Sequence, residues 1–243
     1  MDVKRIAHRG LSAWAPENTE VSFRRAAETD CFGIECDVWK TLDGRYVISH
    51  DNSLKRMCGV HKNITDCVFE ELSKIHVTGG NLVEEMPTQT ICTLQRYLSI
   101  VTKVEKTAVI ELKEEFENRE LQEIIDIVRA YDMFDHTIFI SGLAKTILRL
   151  RHDLCFPKER LQYVHGARPR DSYVPVNDDL INKLIGHGIG IDSRFTLIRE
   201  EHVDRLHDEG LTVNVWTVNT KKDYKHVTEE LGVDMVTMND VNL

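Results

Sequence analysis

Polar residues that close apolar stretches mark where this chain could do chemistry. The first such stretch ends in His8-Arg9-Gly10, a second carries Glu35 and Asp37, a third carries Glu111 and Lys113, and a late one ends Trp216-Thr217-Val218-Asn219. Alternate residues of a strand point to the same side. Glu35 and Asp37 therefore share a face, as do Glu111 and Lys113. Three carboxylates meeting in one place repel unless a positive charge sits between them. A hard divalent cation, Mg2+ or Ca2+, suits such an all-oxygen set. The alternative is a rim of carboxylates paired with Arg9 and Lys113.

His50 enters through a turn. The Asp-Gly of Leu42-Asp43-Gly44-Arg45 favours a two-residue hairpin loop. Pairing Leu42 with Arg45 would then set Asp37 opposite His50, at the ~5 Å spacing of cross-strand neighbours. A one-residue slip would send the imidazole to the other face. Of eleven histidines, only His8 and His50 have such a context; His165 ends a candidate strand and could face the same opening. Two imidazoles can serve as acid and base, a cation can polarise a phosphoryl oxygen, and Arg9 and Lys113 can hold phosphate oxygens. This is equipment for cleaving a phosphodiester. A phosphate-binding P-loop and a Ser or Cys nucleophile elbow are both absent from the sequence.

Nine short runs rich in Val and Ile must position these groups: 3–7, 33–38, 46–49, 108–112, 137–140, 161–164, 188–191, 212–216 and 235–237. Helical patterns lie between them at 20–28, 120–131, 196–208 and 221–231, the first after Thr19 as N-cap. Alternation of strand and helix predicts parallel strands with crossover helices. If run 46–49 folds back antiparallel after Asp43-Gly44, eight parallel strands remain. The expectation is an α/β fold, a (β/α)8 TIM barrel forming a single domain over 1–243, with a small insertion over its mouth at about 51–92 after the second strand. A doubly wound open sheet is the alternative. Active sites of such barrels lie at the C-terminal strand ends, where the residues above fall.

The bulk numbers agree with a catalytic barrel. The chain has 243 residues, near the ~250 typical of this fold, and 42% hydrophobic residues. Its net charge of −9 disfavours nucleic acid and anionic membranes, and no apolar run approaches the ~18 residues of a membrane span. Six cysteines without a Cys-x-x-Cys pair argue against a zinc site. The start Met1-Asp2-Val3-Lys4-Arg5 leads straight into a strand, which predicts no signal peptide, reduced thiols and a cytoplasmic enzyme.

The chain resembles the glycerophosphodiester phosphodiesterase family. The match runs through His8-Arg9-Gly10, Pro16-Glu17-Asn18-Thr19, Phe23, Ala26, Gly33-Ile34-Glu35-Cys36-Asp37-Val38, Thr41-Leu42-Asp43-Gly44, Val47-Ile48-Ser49-His50-Asp51, Leu54, Arg56 and Gly59. It continues at Pro87-Thr88, Thr93-Leu94, Glu111-Leu112-Lys113 and Val215-Trp216-Thr217-Val218-Asn219. The resemblance implies His8 and His50 as the acid–base pair and Glu35, Asp37 and Glu111 as ligands of one Mg2+ or Ca2+. It implies Arg9 and Lys113 on the phosphate and Trp216 lining the substrate pocket. A small glycerophosphodiester would be split into glycerol 3-phosphate and an alcohol, through a cyclic phosphate or by direct water attack. Ser141-Gly142-Leu143 and Val236-Thr237-Met238-Asn239-Asp240 depart from the family pattern, which is expected to affect the leaving alcohol. Glu17 and Asn18 are expected to brace the first loop. Two other readings are a lysophospholipase D-like or sphingomyelinase D-like enzyme acting on lipids, and a barrel that only binds.

Overall fold

The computed structural model describes residues 3–167 and 173–243. In chain order its strands are β1 (Lys4–Ala7), β2 (Gly33–Lys40), β3 (Tyr46–Ile48), β4 (His76–Val77), β5 (Gln89–Thr90), β6 (Cys92–Thr93), β7 (Thr107–Leu112), β8 (Thr137–Ser141), β9 (Leu161–His165), β10 (Gly190–Arg194), β11 (Val213–Trp216) and β12 (Met235–Met238). Eight of them run parallel in the order β1-β12-β11-β10-β9-β8-β7-β2, and pairing of β1 with β2 closes the barrel. Helices lie between the parallel strands, as the alternating pattern predicts. Sequence periodicity missed those at Leu94–Val101, Ala144–Leu148 and Asp178–His187. The described cysteines are all free thiols.

Strand alternation divides the core in two. Ile34, Cys36, Val38, Ala108 and Ile110 face outward and pack with Phe23, Tyr97, Leu98 and Leu121 of the surrounding helices. Ile6, Val109, Ile138, Ile140, Val164 and Met235 face inward and plug the barrel. The inward series continues upward, so His8 follows Ile6, Glu111 follows Val109 and Thr237 follows Met235. The same alternation that fills the core delivers the polar residues to the mouth.

The β2–β3 hairpin corrects an expectation. Val38 pairs with Ile48, Trp39 with Val47 and Lys40 with Tyr46, so Asp37 faces Ser49, not His50, and Ser49 N donates to Asp37 O at 3.0 Å. The loop has three residues, closed by Thr41 N to Arg45 O at 2.8 Å. Thr41 Oγ1 donates to Asp43 Oδ1 and accepts from Arg45 N. Gly44, at φ +83°, supplies the left-handed residue of a bulged turn.

Other boundaries differ as well. The strand expected at 188–191 begins at Gly190, because Gly188 at φ +65° caps the preceding helix. The helix expected at 196–208 begins at Glu200, after a short 3-10 turn. The insertion carries helices Lys55–Cys58 and Phe69–Leu72 and the β4–β5 pair. It has its own apolar cluster of Leu54, Met57, Ile64, Leu72, Val77 and Ile91 beside Val47. It rests on the first loop, where Asn81 Nδ2 donates to Ser12 O at 2.8 Å.

Candidate active site

A hollow of about 250 Å³ opens at the C-terminal strand ends, lined by His8, Arg9, Glu35, His50, Glu111, Lys113 and Trp216 among others. A larger groove of about 530 Å³ runs past Glu20, Arg24 and Arg96. Its charges are already paired, with Glu20 Oε1 2.8 Å from Arg24 Nε and 2.6 Å from Arg96 Nη2. The smaller hollow is the one that gathers reactive groups.

The turn after β1 is built to hold Arg9. Arg9 at φ +56° and Gly10 at φ +78° both take left-handed backbone. That geometry aims Arg9 N at Glu35 Oε2, 2.8 Å away. A side chain at Gly10 would strike Ser22, whose Oγ lies 2.5 Å from a Cβ there. Thr19 and Ser22 form a capping box for helix Glu20–Ala27, a cap worth about 1 kcal/mol. Ser22 Oγ also donates to Arg9 O at 3.0 Å, tying helix and turn together. Glu17 and Asn18 do brace this loop. Arg9 Nη1 reaches Glu17 Oε1 at 2.9 Å, and Asn18 Nδ2 donates to Asp37 Oδ2 at 2.7 Å.

Glu35, Asp37 and Glu111 converge as the strand spacing predicts. Each offers a carboxylate oxygen, and all three lie within 4.8 Å of one another. Lys113 Nζ sits 3.0 Å from Glu111 Oε1 and 3.2 Å from Asp37 Oδ1, and Arg9 Nε sits 3.5 Å from Asp37 Oδ2. Asp37 Oδ1 nonetheless accepts no hydrogen bond among the described residues. Burial raises Glu35 well above the usual carboxylate range, and Asp37 and Glu111 push it further. Burial likewise raises Glu111, to about 7, against the pull of Lys113. Burial would raise Asp37 too, but Lys113 and Arg9 reverse this and hold it well below the usual range. Crowded, buried carboxylates and an orphaned oxygen fit a divalent cation.

Each imidazole is gripped at the same ring atom. His8 Nδ1 lies 2.7 Å from Asn239 Oδ1, and His50 Nδ1 lies 2.7 Å from Asp51 Oδ1. Both partners are acceptors, so each Nδ1 carries the proton and Nε2 is left with its lone pair. Burial lowers His8 to about 3, helped by repulsion from Arg9. Burial lowers His50 as well, but Asp37 and Asp51 oppose it. Arg56 links the two halves. Its Nε is 2.6 Å from Asp51 Oδ2 and its Nη2 is 2.7 Å from Glu17 Oε1.

Comparison with known proteins decides the family. The profile of the glycerophosphoryl diester phosphodiesterase family matches residues 8–243. The chain belongs to the glycerophosphoryl diester phosphodiesterase family. It is 27% identical over 233 residues to a glycerophosphodiester phosphodiesterase of Bacillus altitudinis, covering 95% of this chain and 92% of that one. A crystal structure of a glycerophosphodiester phosphodiesterase from Parabacteroides distasonis is similar at TM-score 0.75 and 26% identity, over 98% of this chain and 92% of the other. A phosphodiesterase of Oleispira antarctica, solved with the product sn-glycerol-3-phosphate, shares the fold at TM-score 0.81 and 21% identity, over 97% and 92% of the two chains. The protein is thus an enzyme of phosphodiester hydrolysis.

Within this phosphodiesterase barrel, all eight residues singled out from sequence stand at or beside the mouth. His50 arrives by a different route than expected: β3 ends at Ile48, and the imidazole hangs from the following turn. His165 does not face the mouth. It alternates with inward Val164, is buried on the outer side, and its Nε2 lies 2.8 Å from Val174 O. Of the departures from the family pattern, Thr237 lines the hollow, whereas Ser141, Asn239 and Asp240 do not. Ser141 Oγ donates to Leu112 O at 2.6 Å, Asn239 holds His8, and Asp240 Oδ2 accepts from Trp14 Nε1 at 2.8 Å.

Sequence reasoning missed Asp51, Asn239, Asp192 and Arg194. Asp192 ends an apolar run like the others, and correct placement of β10 would have exposed it. The hydrogen bond between His8 and Asn239 spans 231 positions and left no local signal.

Proposed function

We propose that this enzyme hydrolyses small glycerophosphodiesters to glycerol 3-phosphate and an alcohol, with one bound Mg2+ or Ca2+ and two histidines. The observation that carries the reading is three carboxylate oxygens within 4.8 Å of one another, flanked in one hollow by two imidazoles that each keep Nε2 free. Glu35, Asp37 and Glu111 would hold the cation, which supplies polarisation of the phosphoryl oxygen when bound. Arg9 and Lys113 would hold the remaining phosphate oxygens, and Trp216 walls the opposite side.

The hydrogen-bond partners support separate roles for the two histidines. Asn239 is a neutral amide, and His8 stands beside the Arg9 cation, so His8 is favoured as the neutral base. Its Nε2 takes the proton of the attacking hydroxyl, either the substrate's own 2-hydroxyl or water. Asp51 is a carboxylate, which stabilises an imidazolium, so His50 is favoured as the acid. It gives its proton to the departing alcohol oxygen. If the substrate hydroxyl attacks first, the roles reverse when water opens the cyclic phosphate.

The hollow of about 250 Å³ lies below the ~300–1,000 Å³ usual for drug-sized ligands. That favours a small polar ester over a lysophospholipid or sphingolipid. No helix among the described residues is long and apolar enough to cross a membrane. One catalytic domain with the insertion packed on it, in the cytoplasm, fits the free thiols. The test is release of glycerol 3-phosphate from glycerophosphocholine, run beside lysophosphatidylcholine. The reading expects the first to be the better substrate; preference for the lipid would overturn it.

A further inference from the structure

Across the mouth from the carboxylate cluster, two buried polar atoms on β10 have no hydrogen-bond partner among the described residues: Asp192 Oδ1 and Arg194 Nε. Asp192 is 3% exposed, and both residues line the hollow. They alternate on one strand and so face the same way. Neither belongs to the acid–base pair, the carboxylate cluster or the phosphate cations. Leaving both unpaired is costly, and their neighbours Ile140 and Val164 offer no partner.

The missing partner must donate to a carboxylate and accept from a guanidinium. A hydroxyl group does both. A quaternary ammonium does not fit, because the Trp216 ring is already taken. Arg194 lies over its face at 5.3 Å, and its Nε1 donates to Asp192 O at 3.4 Å. An apolar substituent would leave both β10 atoms unpaired.

We propose that Asp192 and Arg194 are specificity-determining residues that grip a 1,2-diol of the substrate, carried next to the phosphate on a glyceryl or other polyol group. This rests on the diesterase reading above. The diol could belong to the retained glyceryl unit or to a leaving polyol, and substrates separate the two. The experiment compares kcat/KM for glycerophosphocholine, glycerophosphoglycerol and the diol-free methyl 4-nitrophenyl phosphate in wild type, Asp192→Ala, the near-isosteric Asp192→Asn and Arg194→Met. Circular dichroism checks that each variant folds.

The ratio of glycerol ester to diol-free ester should fall about 10- to 100-fold in Asp192→Ala and Arg194→Met, mainly through KM. An equal fall for both glycerol esters places the retained glyceryl unit on β10. A fall for glycerophosphoglycerol alone places the leaving polyol there. Ratios matching wild type in all three folded variants would overturn the proposal. Wild-type inactivity on both glycerol esters would overturn the diesterase reading and this proposal with it, and it would show before any variant is made.

Discussion

His8 Nδ1 donates to Asn239 Oδ1 across 2.7 Å, joining the end of the first barrel strand to the end of the last. The bond fixes which ring nitrogen stays free, and it does so with a neutral partner. His50 has the same arrangement with the carboxylate of Asp51. One barrel thus holds two imidazoles in the same tautomer, both lowered by burial, with partners of different bias toward charge: a neutral amide and a carboxylate.

Altering Asn239 tests that bias. Removing it in Asn239→Ala frees the ring, and kcat should fall about 10- to 100-fold, as for other groups that orient a catalytic histidine. Asn239→Asp puts a carboxylate beside Nδ1 and raises the His8 pKa. The base is then protonated at higher pH, so the acid limb of the pH–rate profile should move upward. A limb unmoved in Asn239→Asp would remove His8 from the base role.

The acid role of His50 has a separate signature. A poor leaving group needs a proton, while 4-nitrophenolate does not. His50→Ala should lose about 10²- to 10⁴-fold on glycerophosphocholine and far less on a glycerophosphate ester of 4-nitrophenol. His8→Ala should lose heavily on both. Equal losses on the two esters in His50→Ala would show that His50 is not the acid.

Arg56 should matter for rate more than for stability. Its guanidinium bridges Asp51 and Glu17, which in turn hold His50 and Arg9. The side chain is 45% exposed, and exposed ion pairs contribute only about 0–1 kcal/mol. Arg56→Ala is expected to lower kcat about tenfold with little change in Tm. Arg56→Lys should not rescue it, because one ammonium cannot fork to two carboxylates. A kcat within twofold of wild type would make the bridge incidental.

The carboxylate cluster predicts a pH dependence of cation binding. Burial holds Glu111 at about 7 in the cation-free protein, and ligation requires the ionised form. Divalent affinity should therefore rise with pH through about 7, and the raised Glu35 adds to the rise. The sign for stability is opposite. A folded-state pKa raised above its usual 4.5 gives stability that is full below that value and lost as pH rises through about 7. The Tm gap between cation-loaded and chelated protein should widen from pH 5 to 8. A constant gap would show that the cluster does not titrate with the cation.

Much of this site was legible because strand periodicity is a local rule. Glu35 with Asp37 and Glu111 with Lys113 needed only the alternation of their own strands, and the eight-strand count followed once β3 was folded back. What failed needed three dimensions or exact turn geometry. Thr41 and Asp43 draw Gly44 into a three-residue loop, which moved the hairpin register by one. His50 still reaches the mouth because the chain leaves the ladder at Ile48 and is held by Asp51 instead. Asp192 was lost because the expected run stopped at Ile191, whereas β10 continues to Arg194. Asn239 was noticed only as a departure from the family pattern, although it touches His8.

The central claim is that the Glu35, Asp37 and Glu111 cluster works through a bound divalent cation to cleave a glycerophosphodiester. The most direct test is glycerol 3-phosphate release from glycerophosphocholine by chelated enzyme, followed by titration with Mg2+ or Ca2+. The account predicts no turnover in chelator and saturable recovery with one of the two ions. Full turnover in chelator would contradict it.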